Sequence, residues 1–167
     1  RRFTTLLLGC LATLTLAAAE APPLRWVDAA TLTVTGKAWT DTAQPFDRLP
    51  ARAKGVVRGP VFSLGGDAAG LAIRFSSNSP TLRVRWTLRR ERIAMNHMPA
   101  TGVSGLDLYV RTPDGWRWTG VARPEKSGAN ETAFFAAQPA EMRDFLLYLP
   151  LYNGVTKLEL GVAPDAE

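Results

Sequence analysis

Thr81-Leu82-Arg83-Val84-Arg85-Trp86-Thr87-Leu88 is the stretch that decides the fold. Leu82, Val84, Trp86 and Leu88 alternate strictly with Thr81, Arg83, Arg85 and Thr87. A period of two is what a strand satisfies when it sends one set of side chains into a core and the other into solvent. Just upstream, Leu71, Ile73 and Phe75 alternate in the same way. Ser76-Ser77-Asn78-Ser79-Pro80 between the two is a run of turn formers, so the pair is expected to form a hairpin. Downstream, Leu106, Leu108 and Val110 alternate with Asp107, Tyr109 and Arg111. Thr112-Pro113-Asp114-Gly115 then turns the chain, with Pro fixing φ, and residues 116–121 return as a second hairpin.

Further out the same grammar repeats. Residues 145–149 are a continuous apolar run closed by Pro150, and Leu151-Tyr152-Asn153-Gly154 bends the chain. Thr156, Leu158, Leu160 and Val162 then alternate with Lys157, Glu159 and Gly161 as a last strand. Residues 32–35, 37–39 and 61–64 are shorter strand candidates, and residues 139–143 are the one candidate helical turn. Short strands spaced by roughly ten residues, without intervening amphipathic helices, predict an all-β fold: an antiparallel β-sandwich of the jelly-roll kind.

The composition fits one domain of that class. The 167 residues are 46% hydrophobic with 14 Gly and 12 Pro, enough for a packed core and too little Gly and Pro for a low-complexity chain. A single His and a single Cys exclude a zinc site, a disulfide framework or a multi-His metal centre built from this chain alone, and no cofactor is implied. The positive charge is mostly Arg, and Arg83, Arg85, Arg89, Arg90 and Arg92 fall within ten residues. Such a cluster raises nucleic-acid binding. Against it, Arg83 and Arg85 lie on the polar face of a strand, and export separates the chain from nucleic acid. A solvated strand face and loop is the preferred reading.

Export is read from the first residues. Arg1 and Arg2 are followed by an apolar stretch to residue 19 that ends in Ala17-Ala18-Ala19, the small-residue exit of a secretory signal peptide. Residues 1–19 are therefore expected to be removed, leaving residues 20–167 as a single β-sandwich domain in the periplasm or outside the cell. Its balance of 18 basic and 15 acidic residues is +3. A permanent membrane span is disfavoured because Glu20 and Pro22-Pro23 follow at once. A lipoprotein is disfavoured because apolar sequence continues past Cys10 of Leu7-Leu8-Gly9-Cys10. The absent initiator Met suggests a sequence cut at its front.

Catalysis by this chain alone is hard to assemble. A nucleophilic Ser needs a base and a group to orient it, His97 is the one imidazole, and no Ser stands beside it in sequence. No Gly-x-Ser-x-Gly elbow exists, and the nearest look-alike, Gly65-Gly66-Asp67-Ala68, carries Ala where a hydroxyl is required. No catalytic residue and no metal ligand is assigned. The candidate binding or interdomain residues are Asn96, His97 and Met98, in a long loop bounded by Gly and Pro, and Asp107 on the polar face of its strand. Trp26, Trp39, Trp86, Trp116 and Trp118 invite a sugar-stacking reading. Trp86 shares an apolar strand face, and Trp116 and Trp118 share one face of theirs, for which the core is preferred.

Gly105-Leu106-Asp107-Leu108-Tyr109 resembles the GxDLY signature, and residues 148–155 (Tyr-Leu-Pro-Leu-Tyr-Asn-Gly-Val) resemble a second block of the same family. Phe46-Asp47-Arg48-Leu49-Pro50, Asn96-His97-Met98 and Ser104 follow the pattern in the same order, so the resemblance spans roughly residues 26–162. The family is the N-terminal domain of SGNH-hydrolase-type (GDSL-like) esterases. The resemblance implies a non-catalytic β-sandwich accessory domain of an exported esterase, which packs on a hydrolase domain expected after Glu167 and helps shape its site for an acylated carbohydrate or similar ester. The family's catalytic Ser, oxyanion donors and Asp-x-x-His pair match no position in this sequence. An independent carbohydrate-binding module is the alternative.

Overall fold

The computed structural model describes residues 23–167, so the signal-peptide stretch and Cys10 lie outside the described residues. Among these residues the chain makes nine strands in two antiparallel sheets. The strands are β1 (Arg25–Asp28), β2 (Thr33–Thr35), β3 (Ala72–Ser77), β4 (Leu82–Leu88), β5 (Leu106–Thr112), β6 (Gly115–Ala122), β7 (Ala129–Phe135), β8 (Arg143–Tyr148) and β9 (Val155–Val162). One sheet has the order β1-β9-β4-β7, the other β2-β3-β8-β5-β6. With the short edge strand β2 set aside, the remaining eight pass between the sheets in jelly-roll fashion.

Alternation explains the core. Leu82, Val84, Trp86 and Leu88 of β4 join Leu158 and Leu160 of β9, and across the sandwich they meet Ile73, Leu106, Leu108, Phe145 and Leu147. Trp86 is only 1% exposed. Its indole N–H, which could not be buried unpaired, donates to the Ser104 carbonyl at 3.3 Å. Phe75 and Phe135 each stack with Phe145, with centroids 5.2 and 6.0 Å away.

Several local expectations are corrected. The first expected hairpin does not form: β3 and β4 lie in different sheets, joined by an arch over the end of the sandwich. Turn formers reverse the chain without deciding whether the flanking strands pair. Here β3 pairs with β2 and β8, while β4 pairs with β7 and β9. The arch is tied to the last strand by the Ser79 hydroxyl, which accepts from the Ala163 N–H at 2.9 Å. The second hairpin is present as β5–β6, with Gly115 at φ 115°, a conformation disfavoured for residues with a Cβ.

Residues 61–64 are helical, not extended. They end α1 (Gly59–Leu64), where Pro60 in the first turn favours helix entry and four residues are too few to show a period. Residues 37–39 form no strand, because the chain leaves β2 at Gly36 (φ 79°). A Cβ there would lie 2.2 Å from the Gly70 carbonyl oxygen. Residues 139–143 make no helical turn, and Arg143 already belongs to β8. The other α-helix, α2 (Ala100–Ser104), lies in the long loop between β4 and β5.

Candidate functional site

The blocks at residues 46–50, Ser104 and 148–155 converge on one end of the sandwich. Asn153, fully buried, accepts from the Arg90 backbone N–H at 2.9 Å and donates from Nδ2 to the Ser104 hydroxyl at 3.0 Å and the Arg90 carbonyl at 3.3 Å. Its own carbonyl accepts from Ala68 N–H at 3.0 Å. Arg90 pairs with the buried carboxylate of Asp67 at 2.7 Å and donates to the Ser63 carbonyl at 2.9 Å, and Arg89 pairs with Asp47. Arg48 donates to the carbonyls of Leu64 and Asp67, each at 2.8 Å. Space is tight: a Cβ on Gly154 would lie 2.3 Å from the Gly66 carbonyl oxygen. Every named polar group finds a partner, so loops distant in sequence are held as one rigid floor. Arg89 and Arg90 are thus ties inside this network rather than part of a solvated charge run, while Arg83 and Arg85 do occupy an exposed strand face.

Beside this floor the outer face of the five-stranded sheet opens into a cleft of about 270 Å3, lined by Gly70, Gly102, Gly105, Asp107, Tyr109, Tyr148 and Leu151 among others. Register places the side chains. Asp107 lies opposite Tyr148 across β5–β8, and Tyr109 lies opposite Trp118 across β5–β6. The Tyr109 and Tyr148 rings meet edge to face at 5.5 Å. Asp107 Oδ1 accepts from the Trp118 indole N–H at 3.0 Å.

The candidate residues fall into two groups. Asp107 stands at the cleft, half-buried, with no arginine partner. Asn96 and His97 are exposed at the tip of a tight turn, closed by backbone bonds from Met95 N–H to the Met98 carbonyl (2.9 Å) and back (3.2 Å). His97 Nδ1 lies 2.9 Å from Asn96 Oδ1. Met98 is half-buried against α2, where a Cβ on Gly102 would meet its Cγ at 2.9 Å. The turn reaches the cleft only through α2, and the structure does not bring His97 to Asp107.

Trp116 and Trp118 are outside the core: Trp118 is 56% exposed. Tyr109, Tyr148 and Leu151 entered the sequence reading only as members of the signature blocks and not as candidate binding residues. For Tyr148 the missed signal was the alternation of Asp144, Leu146 and Tyr148 with Phe145, Leu147 and Leu149, hidden because nearly all of these positions are apolar.

Residues 24–167 match the family described as GxDLY, the N-terminus of SGNH-hydrolase-type esterases. Among solved structures, a protein described as a GDSL-like lipase from Bacteroides ovatus ATCC 8483 is similar with a TM-score of 0.81 and 31% identity, over 87% of this chain and 42% of that one. The salicylyl-acyltransferase SsfX3 from a tetracycline biosynthetic pathway shares the fold, with a TM-score of 0.61 and 18% identity over 89% of this chain and 42% of that one. The chain therefore spans less than half the length of either. Comparison with curated proteins gave no match.

Proposed function

Because this chain belongs to the family of N-terminal domains of SGNH-hydrolase-type esterases, we propose that it is the non-catalytic accessory domain of an exported esterase of that kind. In this reading it packs on the hydrolase domain and helps shape a site for an acylated carbohydrate or similar ester. The observation that carries the reading is the match over nearly the whole described chain to a family defined by its place at the front of esterases. Export rests on the Arg1-Arg2 start, the apolar run and the Ala17-Ala18-Ala19 exit. A site-shaping role is supported by the exposed Asn96-His97 tip, a polar feature held in place by its own closed turn.

A second reading, an independent carbohydrate-binding module, draws on the exposed indole of Trp118. One set of assays separates the two. The full polypeptide should hydrolyse a chromogenic acetyl ester and an acetylated oligosaccharide. His97→Ala should raise KM for the oligosaccharide several-fold while leaving the small ester unchanged. Oligosaccharide affinity without any ester hydrolysis would favour the second reading. Ester turnover that disappears in His97→Ala would contradict both. Intact mass after secretion tests export: a chain beginning at Glu20 is expected, and an adduct on Cys10 or an uncleaved precursor would overturn it.

A further inference from the structure

We propose that the outer face of the five-stranded sheet, centred on Tyr148, Leu151, Tyr109, Trp118 and Asp107, is the surface on which the hydrolase domain docks. The inference rests on the accessory-domain reading and adds which surface is used and what it asks of its partner. Tyr148 is 42% and Leu151 49% exposed, and both line the cleft, where Gly70 borders open space while Gly102 and Gly105 are closely covered by Met98 and Thr101. Aromatic residues on a rigid central strand cost little conformational entropy to bury, which is why they dominate the centres of protein interfaces. Asp107 supplies the polar half of the recognition. One of its oxygens is taken by Trp118, and the other has no protein partner among the described residues, so a guanidinium, ammonium or amide N–H from the partner would complete it.

β9 belongs to the four-stranded sheet, yet the backbone beyond it crosses toward the other sheet. There Glu167 and Asn78, the residue after β3, exchange hydrogen bonds: Glu167 N–H to Asn78 Oδ1 at 2.9 Å and Asn78 N–H to the Glu167 carbonyl at 3.4 Å. Arg25 of β1 also donates to the Pro164 and Ala166 carbonyls, so the chain end lies between the two sheets at the Ser77–Arg143 end of β3–β8, and a hydrolase joined there would reach the cleft at the Ala72–Tyr148 end along the outer face. The opposite outer face also carries a cleft, of about 370 Å3, but charged and polar side chains line most of it, and Arg85 with Glu131 and Lys157 with Glu159 pair with one another there.

The test uses the full polypeptide with a protease site placed after Glu167, cut and then passed through gel filtration. Wild-type halves should remain associated. Tyr148→Glu and Leu151→Glu should each weaken association by about tenfold or more, while Lys157→Glu on the four-stranded sheet should have no effect. If Tyr148→Glu unfolds the domain, Trp118→Ala carries the test, with a several-fold loss expected. Wild-type halves that separate at once would remove the packing reading itself. Halves that stay together in every variant would overturn this surface and leave that reading standing. The surface is likewise overturned if these substitutions spare association but abolish oligosaccharide binding, or abolish only a dimer of the full chain.

Discussion

The two outer faces of this sandwich are built from the same alternating strands and finished in opposite ways. On the four-stranded sheet, Arg83 and Arg85 hold Glu131 at 2.8 and 2.6 Å, and Lys157 holds Glu159 at 3.0 Å. Its one large aromatic, Trp26, has the Arg85 guanidinium 3.6 Å over its ring and lies flat across Gly161, where a Cβ would come within 2.8 Å of the indole. On the five-stranded sheet, Trp118 and Tyr148 stand exposed, and the carboxylate among them is bonded to an indole rather than to a cation. The first face meets water with its charges paired. The second presents apolar surface in one connected patch, which in a soluble domain marks a binding surface more often than an idle one.

Substitutions sharpen this contrast. The largest effect is expected beneath the charged face. Trp86→Ala removes the most voluminous buried side chain and should cost about 3–5 kcal/mol in chemical denaturation. Asn153→Ala strips partners from the Arg90 N–H and the Ser104 hydroxyl and should cost about 2–4 kcal/mol by the same assay. Arg85→Ala uncovers Trp26 and breaks one ion pair, and should cost about 1 kcal/mol.

Glu131→Gln should cost less, a few tenths of a kcal/mol at neutral pH given its exposure. The Arg85 hydrogen bond, helped by the charges of Arg85 and Arg83 and opposed by partial desolvation, holds the Glu131 carboxyl below its ordinary 4.5. A lowered folded value means that the stabilisation is present above 4.5 and is lost as pH falls through the folded value. The difference in Tm between wild type and Glu131→Gln should therefore be seen at pH 7 and close progressively below pH 4.5. Smallest of all, Trp118→Ala should change the stability of the domain by no more than about 0.5 kcal/mol. The same residue type would then differ severalfold in cost between the interior and the open face.

The fold was legible because β4, β5 and β9 each carry a clean period of two, and burial of one face leaves such a strand little choice of orientation. Pairing was less legible. Nothing in Ser76-Ser77-Asn78-Ser79-Pro80 says that the strands it joins enter different sheets, since partner choice is settled by residues far away in sequence. Of the site, Asp107 could be placed on a polar face from its own strand. The tryptophans of β6 could not be placed, because their side is fixed by pairing: Trp118 lies opposite Tyr109 and Trp116 opposite Arg111, so both join the outward residues of β5. Asp47 and Asp67 as partners of Arg89 and Arg90 were equally hidden, with more than twenty residues separating each pair.

The most direct test is hydroxyl-radical footprinting of the full polypeptide, with Met142 as an internal reference. Met142, before β8, is 53% exposed, close to the 56% of Trp118. After correction for intrinsic reactivity, Met142 should label as its exposure dictates, while Trp118 and Tyr148 should be protected severalfold by the docked hydrolase. Trp118 and Tyr148 labelling in proportion to their exposure, as Met142 does, would contradict the account.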